Sequence, residues 1–153
     1  MSSGPTSVSV IAALTTVQVS ATAIPVVPTL SATTFITKIP DAIAYIIRHF
    51  VSSPKGLQET LYAYTISFMD IISKNSQDVD AICVQTTQQL LNTFNNIYGQ
   101  NSTSVTVTPV TSDSTNYDFM IDISVDYNGN SYTISNEITV DDNGRLQINT
   151  RGR

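Results

Sequence analysis

Two stretches of alternating side chains, joined by one dipeptide, constrain this chain more than any other feature. From Tyr117 to Tyr127, aromatic or aliphatic residues hold the odd positions, and the even positions are mostly Asp or Ser. Because successive side chains of a strand point to opposite faces, this pattern predicts a strand with one apolar and one polar face. Asn128-Gly129 suits a two-residue hairpin turn, and the alternation resumes from Asn130 to Val140. The sequence therefore predicts an antiparallel hairpin whose apolar face needs a cover.

The residues before the hairpin carry apolar side chains at helical spacing, and they supply that cover. We expect three helices, from Pro40 to Val51, from about Leu57 to Ser73 and from about Asp78 to Tyr98. Proline is favoured at the first helical position, where its missing N–H has no intrahelical partner to lose. Each helix carries one apolar stripe, which can pack against the apolar face of the hairpin.

Two further strands are predicted on either side of the hairpin. Ser104 to Val110 alternates in polarity, and Pro109 restricts this strand to an edge or an end of the sheet. The pattern from Leu146 to Thr150 indicates a short last strand. The predicted fold class is α+β, with about three helices packed on one face of a small antiparallel sheet. Residues 35–153 are expected to form this domain.

The first 34 residues differ in composition from the rest of the chain. They are mostly Ser, Thr, Val and Ala, and residues 1–37 carry no Lys, Arg, Asp or Glu. Ala21-Thr22-Ala23 after an apolar run suggests a cleaved signal peptide, although the start of the chain lacks Lys and Arg. A disordered leader is a second interpretation, but the segment is more apolar than such leaders usually are. An extended arm that lies on a neighbouring subunit fits the composition best.

Charge and composition narrow the classes of function. The chain of 153 residues is 41% apolar and 12% charged, about half of the ~25% that is usual in soluble domains. A surface with so few charges suits a subunit that is surrounded by partners. The net charge of −5 argues against nucleic-acid binding, which needs a basic surface. No stretch is long and apolar enough to span a bilayer.

The sequence offers little for catalysis or for cofactor binding. One histidine, His49, and one cysteine, Cys83, are too few for a zinc site made of protein ligands, and Cys83 is expected to be a buried apolar residue. Glycine-rich phosphate loops and nucleophile elbows are absent from the sequence. Asp118, Asp122 and Asp126 share the polar face of one predicted strand, where a solvated surface is their expected role. We therefore expect no enzymatic activity and no cofactor.

The order of these elements is more specific than any single motif. A helix with Ile43, Ile46, Ile47 and Phe50 leads into the turn Val51-Ser52-Ser53-Pro54-Lys55-Gly56, and two more helices follow. Val105-Thr106-Val107 and the alternating hairpin come next. Over residues 39–140 this order resembles the baseplate wedge proteins of contractile phage tails, the phage T4 lysozyme-like family. Members of that family typically show the same succession of helix, turn, helices, Val-x-Val strand and hairpin.

The resemblance implies a structural protein of the virion. Family members sit in a symmetric baseplate in several copies and seed the contractile sheath, and their sheet accepts strands from sheath subunits. The implied partners are other wedge proteins, the tail sheath and tube-associated proteins, with assembly in the host cytoplasm. The residues expected to bind partners lie on the arm and on the two flanking strands: Val8, Val10, Leu14, Val17, Val19, Val105, Val107, Leu146, Ile148 and Arg151. The alternative is a small exported or surface binding domain whose leader is cleaved near Ala23.

Overall fold

A computed structural model describes residues 27–28, 35–52, 66–76, 78–110, 117–141 and 145–151 of the chain. Within these ranges three helices and six strands follow one another in the order β1, β2, α1, α2, α3, β3, β4, β5 and β6. The helices are α1 Ile39–Ser52, α2 Phe68–Lys74 and α3 Val79–Tyr98. The strands are β1 Val27–Pro28, β2 Phe35–Ile36, β3 Thr103–Val110, β4 Tyr117–Tyr127, β5 Asn130–Val140 and β6 Leu146–Arg151.

The predicted hairpin is confirmed with the bounds that the alternation gave. Strands β4 and β5 pair antiparallel from Tyr117 opposite Val140 to Tyr127 opposite Asn130. The two residues between them, Asn128 and Gly129, have φ angles of 51° and 77°. Positive φ at both central positions matches the twist of the flanking strands, which is why this dipeptide closes the hairpin.

The first and third helices also begin and end close to their predicted positions. Helix α3 begins one residue after Asp78, whose side chain accepts a hydrogen bond from the N–H of Ala81 at 2.9 Å. This contact satisfies one of the N–H groups that the first helical turn leaves without an intrahelical partner.

The second helix was predicted wrongly at its start. The described part of this region begins a helix at Phe68, after an extended Ser67 with φ −69° and ψ 152°. The Ser67 hydroxyl accepts a hydrogen bond from the N–H of Asp70, so Ser67 caps the start of α2 and is not inside a helix as predicted. The predicted residues 57–65 lie outside the described part of the chain.

The main sheet has four strands in the order β3-β4-β5-β6, and every neighbouring pair is antiparallel. Strands that are adjacent in sequence are also adjacent in the sheet, as in a simple meander. A separate two-stranded ladder joins β1 to β2, with Val27 opposite Ile36 and Pro28 opposite Phe35. These two residues of β1 are the described part of the predicted N-terminal arm.

The core lies between the three helices and one face of the four-stranded sheet, as the alternation predicted. One aromatic ring from each of three elements meets at its centre. The ring centroid of Phe68 in α2 lies 6.0 Å from that of Phe50 in α1 and 5.8 Å from that of Phe119 in β4. All three side chains are buried. The edge-on contact of Phe68 with Phe119 is a favourable arrangement of aromatic rings.

One polar residue interrupts the apolar face of β5. Asn136 is 2% exposed and lies opposite Ile121 of β4 and Thr150 of β6. Its Oδ1 accepts a hydrogen bond from the Thr150 hydroxyl at 3.0 Å, while its Nδ2 finds no acceptor among the described residues. A buried amide with one open donor costs stability, and the contact to Thr150 links the last strand to the core.

Tyr98, at the end of α3, makes the stability of the protein depend on pH. Its ring stacks on Phe94, with the centroids 6.2 Å apart, and contacts the ring of Tyr127 at the same distance. Burial, followed by the nearby Tyr127, raises the pKa of Tyr98 to about 12. Ionised tyrosine is therefore disfavoured in the folded chain.

We expect the free energy of unfolding to fall as the pH rises above the ordinary tyrosine pKa of 10.0. The unfolded chain releases the Tyr98 proton first, so the contribution of Tyr98 is complete below that pH and is lost up to about pH 12. The loss should reach about 1 kcal/mol near pH 11, measured by chemical denaturation. Tyr98→Phe is the control, and an equally steep decline in that variant would contradict the assignment.

Candidate interaction surface

His49 and Cys83 lie on different helices, α1 and α3. In these ranges no group of three or more His, Cys, Asp or Glu side chains is placed to hold a metal ion. The ring of His49 lies 4.2 Å from that of Tyr45, and burial, with a smaller effect from Arg48, lowers the pKa of His49. Cys83 is buried as expected, and burial, with a smaller effect from Asp80, raises the pKa of its thiol. A protonated, buried thiol is a poor nucleophile.

The three aspartates of β4 lie on the sheet face opposite the helices, as the alternation predicted. Asp126 is exposed, whereas Asp118 and Asp122 are half-buried among neighbouring side chains of the sheet. Asp122 accepts a hydrogen bond from Ser135 on β5. Neighbouring positions on this face carry Met120 and several hydroxyl side chains, so the surface is mostly polar and acidic.

The outer edge of β3 presents backbone groups in a defined pattern. The N–H of Asp126 donates to the carbonyl oxygen of Ser102 at 2.7 Å, just beyond the register that pairs Thr103 with Val125. In an antiparallel pair, alternate residues bond to the neighbouring strand, so the even-numbered residues of β3 bond to β4. The odd-numbered residues therefore direct their N–H and C=O groups away from the sheet: Thr103, Val105, Val107 and Pro109.

Pro109 stands at one of these outward positions. Proline has no N–H group, and at an inward position it would remove a hydrogen bond from the ladder with β4. At position 109 the missing N–H would have pointed away from the sheet, so the ladder is complete. The sequence predicted an edge strand from this proline, and β3 is an edge of the described sheet.

The same reasoning applies to β6 at the opposite edge. The N–H of Asp141 donates to the carbonyl oxygen of Arg145 at 3.0 Å, and the Asp141 carboxylate accepts from the N–H of Arg145 at 2.7 Å. In this register the odd-numbered residues bond to β5. Leu146, Ile148 and Thr150 therefore direct their N–H and C=O groups away from the sheet.

Four of the residues that the sequence named as partner-binding lie at these outward backbone positions. They are Val105 and Val107 on β3, and Leu146 and Ile148 on β6. Their side chains face the helices; Val107 is 8% exposed, and the other three are half-buried. At an edge, these residues can therefore bond to a partner strand through their backbone N–H and C=O groups. The Val107 side chain would contribute little, because it is already buried.

The remaining predicted partner residues fall into two groups. Arg151 lies on the polar face, and its Nη2 bonds to Oε2 of Glu137 at 2.9 Å, so part of its guanidinium is already engaged. The arm residues lie outside the described part of the chain: Val8, Val10, Leu14, Val17 and Val19.

A cleft at the tip of the hairpin was not predicted from the sequence. It has a volume of about 410 Å³ and lies between the start of α1 and the β4–β5 turn. Its walls include Lys38, Pro40, Tyr127, Asn130 and Tyr132. These residues come from segments that are far apart in the chain, so no local sequence pattern brings them together.

Comparisons of the chain with protein-family models, with curated proteins and with solved structures find no match in any of the three. Among the described helices, none has the length and apolar character needed to cross a membrane. The most distinctive feature of the described surface is the pair of sheet edges.

Proposed function

We propose that this chain is a structural subunit of a virion, a baseplate wedge protein of a contractile phage tail that helps to seed the sheath. In this proposal an edge of the four-stranded sheet accepts a strand from a neighbouring subunit. The partners are other wedge proteins, the tail sheath and tube-associated proteins, in a symmetric assembly with several copies of the chain. The protein acts without enzymatic activity and without a cofactor.

The observation that carries the proposal is the state of the two sheet edges. Among the described residues, no strand pairs with the outer side of β3 or of β6. Each edge directs three N–H groups outward, and unpaired strand edges readily add a strand from another chain. Strand addition gains affinity from backbone hydrogen bonds and needs no catalytic side chain.

The low charge of the chain supports the same proposal. Free edge strands are often protected by charged side chains, which disfavour pairing with other chains. Strand β3 has no charged residue, and β6 has one, Arg151. Edge strands with so few charges are suited to a subunit that stays bound to its partners.

The described elements follow the order on which the family resemblance rests. Helix α1, the short α2 and the long α3 precede the Val-x-Val strand β3 and the hairpin of β4 and β5. This is the succession from which the wedge-protein resemblance was drawn. The proposed location is accordingly the tail baseplate of the virion, assembled in the host cytoplasm.

Electron microscopy of tails assembled without this chain tests the proposal. Because the subunit would start the sheath, we expect tails without it to carry tubes with absent or incomplete sheaths. Supplying the full chain from a plasmid should restore the sheath and serves as the control. Full-length, contractile sheaths at the normal frequency in its absence would overturn the proposed role.

A further inference from the structure

The two edges of the sheet differ in how closely the helices pack against them. Helix α3 packs against β3 more extensively than any other described helix packs against a strand. Val107 is buried even though β3 is an edge strand. Pro109 removes one of the outward donors at the far end of the same edge. A strand added at β3 would therefore gain side-chain contacts at the half-buried Val105 but little at Val107.

The edge at β6 leaves more surface uncovered. Leu146 and Ile148 face the helices but are only half-buried, and Thr150 is exposed. All three residues direct an N–H and a C=O outward, and β6 contains no proline. An added strand with apolar residues opposite these positions would extend the core and gain six backbone hydrogen bonds, because each outward residue has one donor and one acceptor.

Two charges, on Arg145 just before β6 and on Arg151 at its end, determine which strand can pair there. Arg145 is exposed, and the side chain of Arg151 is 65% exposed despite its contact with Glu137. Symmetric pairing of β6 with β6 of a second copy, with Ile148 on the twofold axis, places Arg145 opposite Arg151 of that copy. Like charges directly opposite each other destabilise a strand pair, so this register is disfavoured.

From these observations we infer that β6 is the accepting edge and that its partner is an antiparallel strand with acidic residues opposite Arg145 and Arg151. The two acidic positions are six residues apart in the partner strand. Between them, apolar residues opposite Leu146, Ile148 and Thr150 alternate with polar residues. The guanidinium of Arg151 has five N–H donors, so it can bind a second carboxylate while it keeps Glu137. This inference rests on the proposed function, because it names the edge and the partner chemistry for the same strand addition.

Two synthetic peptides test the inference with the full chain. The first has the sequence Asp-Val-Thr-Val-Thr-Val-Asp, and the second has Lys in place of both Asp residues. Both are symmetric in side-chain pattern, so each offers the same residues in either orientation. We expect the acidic peptide to bind about tenfold more tightly at low salt, measured by NMR titration, and the difference to shrink as salt is added. Amide exchange should slow at Leu146, Ile148 and Thr150.

Three variants separate the contribution of each edge from the contribution of the charges. Ile148→Pro removes an outward N–H of β6 without removing a bond to β5, and it should abolish binding of the acidic peptide. Val105→Pro is the matched change on β3 and should leave that binding intact. Arg145→Glu changes an exposed side chain, keeps the backbone and should remove most of the preference for the acidic peptide, because each peptide then faces one like and one opposite charge. If Ile148→Pro does not fold, the Arg145→Glu result still decides the question.

Three results would overturn the inference: equal affinity for both peptides, slowed exchange at Thr103, Val105 and Val107 instead of at β6, or unchanged preference in Arg145→Glu. The test is independent of tail assembly. Peptide binding at β6 together with normal sheaths in tails lacking the chain would uphold the edge assignment and overturn the proposed function. Defective sheaths together with peptide binding at β3 would uphold the proposed function and overturn the edge assignment.

Discussion

Phe119→Ala should lower the free energy of unfolding by about 3–5 kcal/mol, the usual range for removing a buried phenylalanine ring. Phe119 is 0% exposed and meets Phe68 edge-on at 5.8 Å. Its ring joins the sheet to α2, and through Phe68 to Phe50 of α1. Close-packed surroundings cannot collapse fully into the space that the ring leaves, so the lost contacts are not replaced.

Chemical denaturation followed by circular dichroism measures this change. Val84→Ala is the control, since Val84 is 68% exposed and its loss should change stability by no more than about 0.5 kcal/mol. A cost below about 1 kcal/mol for Phe119→Ala would show that this three-ring contact is not the centre of the core.

Thr106→Pro should destabilise the chain by about 3 kcal/mol, although the Thr106 side chain is exposed. Thr106 lies opposite Asp122, at one of the even positions of β3 whose N–H bonds to β4. Proline removes that donor and leaves a carbonyl oxygen of β4 without its partner. The natural Pro109 avoids this cost because position 109 directs its backbone groups away from the sheet.

Thermal and chemical unfolding of Thr106→Pro beside Thr106→Ala separates the backbone from the side chain. The alanine variant keeps the N–H and should cost no more than about 1 kcal/mol. If both variants were equally stable, the even-numbered N–H groups would point outward, and the assignment of the outward positions on β3 would be wrong. This pair therefore tests the geometry on which the edge proposal depends.

Elements with strong local signals were predicted well. The alternation around Asn128-Gly129 gave both hairpin strands, because a period of two and a turn that needs positive φ are local properties. Helix α3 was found from its apolar stripe for the same reason. The start of α2 was missed because the stripe continues across Ser67, and nothing in the period shows that its hydroxyl caps a new helix.

The edges of the sheet were predicted, but not all features of the surface around them. Apolar residues on two short flanking strands indicated where edges would lie, and those strands are the edges of the described sheet. The cleft beside Lys38 and Tyr132 was missed, since it is assembled from segments distant in sequence. The sequence also did not predict that the helices cover β3 more than β6, because this depends on how α3 and α1 pack on the sheet.

The sequence by itself determined which strands form the four-stranded sheet and which of their side chains face the helices, since both follow from the polarity of neighbouring residues. Only the tertiary structure decided which backbone groups point away from the described sheet. Apart from proline, every residue has the same N–H and C=O, so composition carries no record of their direction. The pairing of Asp126 with Ser102, and of Asp141 with Arg145, fixes that direction for β3 and β6.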